Sequence, residues 1–332
     1  MGKTKISWAT DTWSPVVGCS KVSEGCRFCY GERIAKRFKW DFSKVTLHPE
    51  RLEQPLHWRK PRRVFVCSMG DLFHADVPDE FIASAMAVME LARWHTFQVL
   101  TKRPDRMRRL FNSERFHVKI LAFAQHWMGR IIDMRCEDWF AIADARHYAA
   151  WPIDHVWLGV SAENQKAADE RLPLLMETPA AKRFVSCEPL LGTLDLTCVG
   201  GPFNNADALR GWVPVDHGQF EKRLPSLDLV IVAGESGGPP ERRLVERCET
   251  ASGIPYHRLN IEGEPPERAG RVHKPCGGTG WRPKPEALEW MRHIRDQCVA
   301  AGVPFHFKGW GGPTPYSGGH LIDGKEWREV PM

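Results

Sequence analysis

Three cysteines lie within eleven residues near the start of the chain, in the stretch GCSKVSEGCRFCY that covers residues 18–30. Cys19, Cys26 and Cys29 have no fourth cysteine nearby. A closed zinc site usually has four protein ligands, and a disulfide needs two cysteines. Cubane iron–sulfur clusters are held by cysteine thiolates, and three thiolates would leave one iron open to a small molecule. The spacing therefore predicts a [4Fe–4S] cluster at this loop.

Two other interpretations of the cysteine loop stay open. The thiols can be incidental buried groups, or they can bind zinc together with a ligand from a distant part of the chain. Gly18 and Gly25 are expected to let the loop wrap closely around a bulky group, because glycine has no Cβ.

A second set of metal-ligand residues lies in the last third of the chain. Its members are Cys248, His257, His273 and Cys276. Two cysteines and two histidines can bind zinc, but the spacings Cys-x8-His and His-x2-Cys differ from those of common zinc modules. A plain loop is therefore the default interpretation, with zinc as the alternative.

The composition is that of an ordinary globular protein, with 42% hydrophobic and 26% charged residues. The net charge is +5, but residues 1–63 hold 14 Lys and Arg against 6 Asp and Glu, a surplus of +8 that leaves the remainder at −3. This surplus predicts either attraction of an anion such as nucleic acid or a solvated basic helix face.

The start of the chain, MGKTKISWAT, lacks the apolar segment of a signal peptide, and no stretch approaches 18 consecutive apolar residues. We therefore expect a cytoplasmic protein without a membrane partner. Disulfides are unusual in that compartment, so the ten cysteines indicate metal ligands, redox chemistry or buried thiols.

The elements that would position the cysteines follow a repeated pattern, in which a short apolar run ends abruptly in polar or glycine residues. These runs are residues 64–67, 97–100, 156–160, 184–187, 229–233 and 304–307. Continuous apolar runs of this length are typical of buried parallel strands.

Helical patterns lie between the apolar runs. Residues 79–94 place Phe81, Ile82, Ala85, Met86 and Met89 on one stripe, and residues 285–301 show a similar stripe that Gly302 should end. Alternating strands and helices predict an α/β protein with a partial or full (β/α) barrel. We interpret the chain as a single barrel domain over 1–332, with loop or helix insertions at about 111–152, 196–226 and 239–282.

Polar residues follow the predicted strands directly. They are Asp71, Lys102, Arg103, Ser161, Glu163, Glu188, Glu235 and Lys308. Because the carboxyl ends of barrel strands share one face, where barrel enzymes place their active sites, we expect these side chains to converge. Each one alone can equally be a helix cap or a loop contact. Cys67 and Cys187, also at strand ends, are predicted to be packing residues.

The cysteine loop, with Phe28 just before its last cysteine, resembles the radical S-adenosylmethionine (SAM) superfamily, in which the usual pattern is Cys-x3-Cys-x-aromatic-Cys on a partial or full α/β barrel. Here the first gap is six residues. The opening ISWATDTWSPVVGCSKVSEGCRFCYGERIAKR, with LTKRPDR, VWLGVSAEN, VSCEPLLG, VAGESG and DQCVAAGVPFHFKGWG, more closely resembles the phage-borne three-Cys-motif family. That family has a radical-SAM-like barrel and no established reaction, and the resemblance spans nearly the whole chain except the insertions.

The resemblance implies how a cluster and SAM would be held. Cys19, Cys26 and Cys29 would ligate a [4Fe–4S] cluster whose open iron binds the amino and carboxylate groups of SAM, and reduction would release a 5′-deoxyadenosyl radical. The electron would come from a flavodoxin- or ferredoxin-like donor. Phe28 or Tyr30 would pack on the adenine.

The resemblance also implies roles for the strand ends. Met69-Gly70-Asp71 occupies the place of a Gly-Gly-Glu-like turn that binds the methionine amino group. Ser161 and Glu163 are candidate ribose contacts. The remaining roles are a SAM or substrate contact for Glu188 and Glu235, and an anion or carboxylate contact for Lys102, Arg103 and Lys308. Glu188, Glu235 and Lys308 are the catalytic candidates.

Two functions from different classes follow. The first is a radical SAM-type enzyme acting on an unidentified substrate, for which nucleic acid is one candidate and a protein another. The second is a nucleic-acid-binding protein with a structural iron–sulfur or zinc site, which would stack bases on some of its 14 tryptophans. Acidic Asp71, Glu188 and Glu235 at the mouth favour the enzyme, since carboxylates there would repel phosphate. If a phage encodes the protein, it would act in the host cytoplasm.

Overall fold

The computed structural model describes residues 4, 6–132, 151–200, 205–215, 219–248, 281–314 and 317–331. Its strands are β1 Asp11–Trp13, β2 Val16–Val17, β3 Thr46–Leu47, β4 Arg63–Val66, β5 Thr96–Thr101, β6 Val156–Ser161, β7 Lys182–Cys187, β8 Trp212–Val215, β9 Gln219–Arg223, β10 Leu229–Ala233, β11 Val245–Arg247, β12 Trp281–Pro283, β13 Phe305–Gly309, β14 Leu321–Ile322 and β15 Lys325–Glu326. Its α-helices are α1 Tyr30–Arg37, α2 Asp79–Leu91, α3 Pro104–Phe111, α4 Glu114–Ile132, α5 Gln165–Met176 and α6 Pro285–Ala301.

Seven parallel strands form one sheet in the order β1-β4-β5-β6-β7-β10-β13. The six strands predicted from apolar runs are all members, so the prediction of a parallel α/β sheet is confirmed. The sheet is a half-barrel, which agrees with the expectation of a partial barrel. Each strand is neighbour to the next one along the main βα path, as short right-handed crossovers require.

Side chains that alternate along the strands supply two separate cores. Val64 and Val66 of β4 belong to the large outer core under the helices, whereas Phe65 belongs to a small inner core. The inner core consists of Trp8, Ala9, Phe65, Trp157, Phe184, Leu229 and Ile231. Gly159 makes this packing possible, because a Cβ there would lie 2.5 Å from the Phe184 ring.

The segment before β1 crosses the amino end of the half-barrel and links its two edges. The Trp8 ring lies 4.6 Å from that of Phe65 and 6.1 Å from that of Phe184. The Ser7 hydroxyl is 2.8 Å from His306 Nε2 on β13. The amino end is therefore filled by side chains, and the carboxyl end is left for the loops.

The two helices predicted from periodicity are both present. α6 has the expected bounds and ends at Gly302, whose φ of +69° is the left-handed cap that glycine favours. α2 is buried around nearly its whole circumference from Ile82 to Leu91 rather than along one stripe. The reason is α4, which packs on α2 with Phe116, Ile120, Ala124 and Trp127 buried.

The segments interpreted as insertions contain further elements. Segment 111–152 supplies α4, segment 196–226 supplies the β8–β9 hairpin, and segment 239–282 supplies β11 and part of β12. Cys248 is buried, whereas His257, His273 and Cys276 lie outside the described residues. In the described ranges, no helix has both the length and the apolar character needed to cross a membrane.

Glu90, near the end of α2, gives a prediction about stability. Its side chain is only 7% exposed, and burial raises its pKa from 4.5 to about 7 despite Arg93 at 3.4 Å. The folded state therefore binds more protons than the unfolded state between about pH 4.5 and 7, so the free energy of unfolding falls as the pH rises through this window.

Glu90→Gln should remove this loss. We expect the variant to match the parent protein near pH 4 and to exceed it by roughly 1–3 kcal/mol at pH 8, measured by urea unfolding at both pH values. Glu114→Gln, on the exposed face of α4, controls for the loss of one negative charge. A parallel pH dependence in Glu90→Gln and the parent protein would contradict the assignment.

Candidate functional site

The cysteine loop lies at the carboxyl edge of the seven-stranded sheet, between β2 and α1. Cys19, Cys26 and Cys29 are free thiols of intermediate exposure. Cys26 ends a short 3₁₀ helix, Glu24–Cys26, and Cys29 is the residue before the first turn of α1. All three thiols are therefore available on one loop, without a disulfide.

The two glycines of the loop make close contacts with the protein, and their approach to a cluster stays a prediction. Gly18 has a φ of +95°, and a Cβ there would meet the Lys44 carbonyl oxygen at 2.3 Å. A Cβ on Gly25 would meet Glu163 Cδ at 2.9 Å. Both positions need glycine so that the loop can approach its neighbours.

The three cysteine thiols are the donor type that iron–sulfur clusters take. Within the described ranges, no group of three or more His, Cys, Asp or Glu side chains is arranged to hold one ion. Burial and the charge of Asp71 raise the pKa of the Cys19 thiol, while Arg103 opposes them.

Asp71, which follows β4, fixes the first part of the loop. Its Oδ1 accepts hydrogen bonds from the Phe73 amide at 2.9 Å and the Thr101 hydroxyl at 2.8 Å. Its Oδ2 accepts from Arg103 at 2.9 Å and from the Lys102 amide at 3.3 Å. The expected contact of Asp71 with the SAM amino group stays a prediction, and it would have to replace one of these bonds.

Gly70 lies beside the cysteine loop as an extension of the sheet. It forms a parallel bridge with Gly18, whose amide donates to the Met69 carbonyl at 2.9 Å. A Cβ on Gly70 would lie 2.8 Å from the Val16 carbonyl oxygen. The Met69-Gly70-Asp71 turn thus holds the backbone just before Cys19.

Glu163, which follows β6, fixes the middle of the loop. The Gly25 amide donates to Oε1 at 3.2 Å, and Arg171 of α5 donates to Oε2 at 2.9 Å. The Glu163 and Arg171 side chains are only 1% and 7% exposed. Burial opposes ionisation, but the Ser23 hydrogen bond and the Arg171 charge hold the pKa of Glu163 below its usual value. Ser161, a second proposed ribose contact, is also buried.

Glu235, which follows β10, binds the loop through Arg242. The Arg242 Nε donates to Glu235 Oε2 at 2.9 Å, and its Nη1 lies 3.5 Å from Glu24 Oε1. The same guanidinium lies over the Phe28 ring, 5.0 Å from its centroid. Arg33 of α1 adds a bond to the Ser236 carbonyl. The loop that carries Glu235 therefore packs against residues on both sides of the second and third cysteines.

Glu188 and Lys308 form a pair at the ends of β7 and β13. Lys308 Nζ donates to Glu188 Oε2 at 3.0 Å, and the two side chains are 34% and 18% exposed. Glu188 Oε1 is buried with no hydrogen-bond partner among the described residues. The Tyr30 hydroxyl donates to the Ser68 carbonyl, and its desolvation, together with the charges of Cys29 and Glu188, raises the pKa of Tyr30.

The strand-end residues thus meet at one edge, but most of the carboxylates are already paired. Asp71 and Glu235 bind the cysteine loop through Arg103 and Arg242, whereas Glu163 pairs with Arg171 and binds the loop directly through the Gly25 amide. Sequence reasoning missed Arg171 and Arg242 as partners. Arg171 had a signal, because it falls on the apolar stripe formed by Ala168, Leu172 and Leu175; Arg242 in its Pro- and Arg-rich loop had none.

The model of the family described as "Protein of unknown function (DUF5131)" matches residues 3–250 and 275–331. The chain belongs to the DUF5131 family. The match includes every strand of the seven-stranded sheet and all three cysteines, and it leaves out residues 251–274 within the third predicted insertion. No curated protein and no solved structure matches the chain. Membership of DUF5131 carries no stated activity, so the function has to be argued from the site.

An open cleft of about 860 Å³ lies away from the cysteines. It is lined by Asp105, Arg106, Arg108, Arg109, Asn112 and Glu177. Its charged groups are largely paired: Arg108 pairs with Glu177 inside the cleft, and Arg106 pairs with Asp79 of α2. We therefore place the functional site at the cysteine loop and not at this cleft.

Proposed function

We propose that this protein is a radical SAM-type enzyme that holds a [4Fe–4S] cluster through Cys19, Cys26 and Cys29. One observation carries the proposal: three free, partly exposed thiols lie on a single loop docked on the carboxyl edge of a parallel half-barrel. When bound, the cluster and SAM would together supply one-electron cleavage of a sulfonium bond and abstraction of a hydrogen atom from a substrate. The phage-borne three-Cys-motif resemblance adds to this proposal.

The chain's own part in this function is to hold the thiols in place and keep the mouth ordered. Ion pairs with Arg103 and Arg242 tie the loop to Asp71 and Glu235, and the Gly25 amide ties it to Glu163. Ligands fixed by surrounding hydrogen bonds lose little entropy when the group binds. We assign these three carboxylates to positioning the loop, in addition to the SAM contacts expected for Asp71, Gly70, Ser161 and Glu163.

Glu188 and Lys308 remain the best candidates for contact with SAM or substrate. Glu188 Oε1 is a buried acceptor without a partner among the described residues, and such atoms usually find a donor. Lys308 Nζ has one bond, to Glu188, and can donate two more. Glu235 is less suited, because both its oxygens face Arg242. Phe28 and Tyr30 on the loop are the proposed adenine contacts.

The structure changes what the acidic residues at the mouth imply about the substrate. Each mouth carboxylate named above has its own cation, namely Arg103, Arg171, Arg242 or Lys308. Paired carboxylates repel phosphate much less than free ones, so the acidic mouth does not speak against nucleic acid. A nucleic-acid substrate therefore stays within the proposal. The test has to distinguish an enzyme that acts on nucleic acid from a protein that only binds it.

The test is low-temperature EPR of the full-length protein, purified without oxygen and reduced with dithionite, with and without SAM. We expect a [4Fe–4S]⁺ signal whose g-values shift when SAM is added, because SAM would bind the open iron. A cluster signal that ignores SAM would contradict the enzyme and favour a structural or electron-transfer role. Zinc in place of iron would leave the nucleic-acid-binding function ahead.

A further inference from the structure

Arg103 connects the strand-end carboxylate Asp71 to the first cysteine. It follows β5 and precedes α3, and its side chain is 15% exposed. Its Nη1 donates to the Cys19 sulfur at 3.4 Å and to Asp71 Oδ2 at 2.9 Å. Its Nη2 donates to the Ser20 carbonyl and hydroxyl oxygens, both at 3.0 Å. Both terminal nitrogens of the guanidinium are therefore held, Nη2 by the loop and Nη1 by the loop and Asp71.

Hydrogen bonds to Asp71 and from the Arg103 amide fix the position of Arg103. Asp71 is held by the Phe73 and Lys102 amides and by the Thr101 hydroxyl. The Arg103 amide also donates to the Thr101 hydroxyl at 2.9 Å. A planar guanidinium bound at both ends keeps one orientation, which a flexible ammonium group would not. The N–H that points at Cys19 is therefore fixed before any ligand binds.

We propose that Arg103 is a positioning residue that donates an N–H···S hydrogen bond to the Cys19 thiolate and thereby raises the reduction potential of the cluster. This inference rests on the proposed function. A cationic donor is stronger than a neutral one. The neighbour of Cys26 is the Ser23 hydroxyl, at 3.9 Å, so the three thiols are placed unequally. The iron held by Cys19 would therefore be the one whose thiolate ligand accepts a hydrogen bond from the cationic Arg103.

The direction of the effect follows from charge. Reduction adds one negative charge to the cluster and its thiolates, and hydrogen bonds to the sulfurs stabilise that extra charge. Removing the Arg103 donor should therefore make the cluster harder to reduce. Asp71 moderates the effect, since it neutralises the guanidinium charge while leaving its N–H donors in place.

The experiment is redox potentiometry of the reconstituted full-length protein, with the reduced cluster followed by EPR. We expect Arg103→Gln to favour the reduced state about tenfold less at a given potential, which is about 59 mV for one electron. Arg103→Lys keeps the charge and loses the planar fork, so its reduction potential should lie between those of the parent protein and Arg103→Gln. Arg108→Gln, in the α3 helix that Arg103 precedes and paired with Glu177 at the surface, should keep the parent potential.

Removal of Arg103 alone leaves Asp71 buried without its cation, which can disturb folding. The double variant Asp71→Asn/Arg103→Gln removes both charges, so its potential should also lie below that of the parent protein, but by less than in Arg103→Gln, because the Asp71 carboxylate that opposes reduction is gone as well. If Arg103→Gln and the double variant load the cluster and match Arg108→Gln in potential, the inference is wrong and the proposed function stands. If the parent protein itself takes up no iron–sulfur cluster, both the proposed function and this inference are wrong.

Discussion

Replacing Cys19, Cys26 or Cys29 by alanine should remove the iron–sulfur cluster from the protein. Each thiol would hold one iron, and no other Cys, His, Asp or Glu of the described residues forms a metal-binding group with these thiols. Loss of a residue that merely supports a ligand often costs about 10–100-fold in metal affinity, so loss of a ligand should cost at least as much. We expect iron and sulfide contents below about a tenth of those of the parent protein.

The same variants should fold normally, because the three thiols are partly exposed and not part of the hydrophobic cores. Their free energies of unfolding without iron should stay within roughly 1 kcal/mol of the parent value. Cys198→Ala is the matched control, since Cys198 is also a free thiol of intermediate exposure. Full cluster content in any one of the three loop variants would show that this cysteine is not a ligand.

Much of the fold could be predicted from the sequence, because parallel strands buried on both faces read as continuous apolar runs. β10, Leu229–Ala233, is fully buried and was visible on that ground alone. β1, Asp11–Trp13, was not delimited, because three residues carry no pattern. The burial around α2 was underestimated, since periodicity reports a helix's own stripe and not the later helix, α4, that covers its other side.

The location of the site could be predicted from the sequence, but the ion pairs and hydrogen bonds within it could not. The rule that parallel strands end at one edge was enough to bring Asp71, Glu163 and Glu235 to the cysteine loop. The partner of each carboxylate depends on side-chain packing between distant segments, which periodicity does not contain. Gly25 shows the limit well: its type indicates close approach, but the sequence does not say that Glu163 is what approaches.

The Glu163–Arg171 pair belongs to the buried packing of the fold. Through Glu163 it also takes part in the attachment of the cysteine loop. Arg171 Nη1 also donates to the Ser161 carbonyl at 2.7 Å, so one guanidinium ties α5 to the end of β6. Two charges this well buried stabilise each other, but neither can be left without the other. Breaking a buried pair by removing one partner typically costs 3–5 kcal/mol.

Glu163→Ala should therefore lower the free energy of unfolding by about 3–5 kcal/mol, measured by urea denaturation of the iron-free protein. Glu177→Ala is the matched control: Glu177 directly follows α5 and pairs with Arg108, but the two side chains are 49% and 41% exposed, so it should cost less than about 1 kcal/mol. Glu163→Ala also removes the acceptor of the Gly25 amide. We thus expect proteolysis at Lys21 or Arg27 to be faster in Glu163→Ala than in the control.

Replacing both charges separates the cost of an unpaired cation from the attachment of the loop. In Glu163→Leu/Arg171→Met the buried charges are gone, so much of the lost stability should return. The Gly25 amide still has no acceptor, so the loop should stay more sensitive to proteolysis than in the parent protein. Recovery of stability and of protease resistance together would show that Glu163 does not hold the loop. Recovery of stability alone would assign it the attachment role, because the bonds that the loop itself has lost are those of Glu163 with the Gly25 amide and the Ser23 hydroxyl.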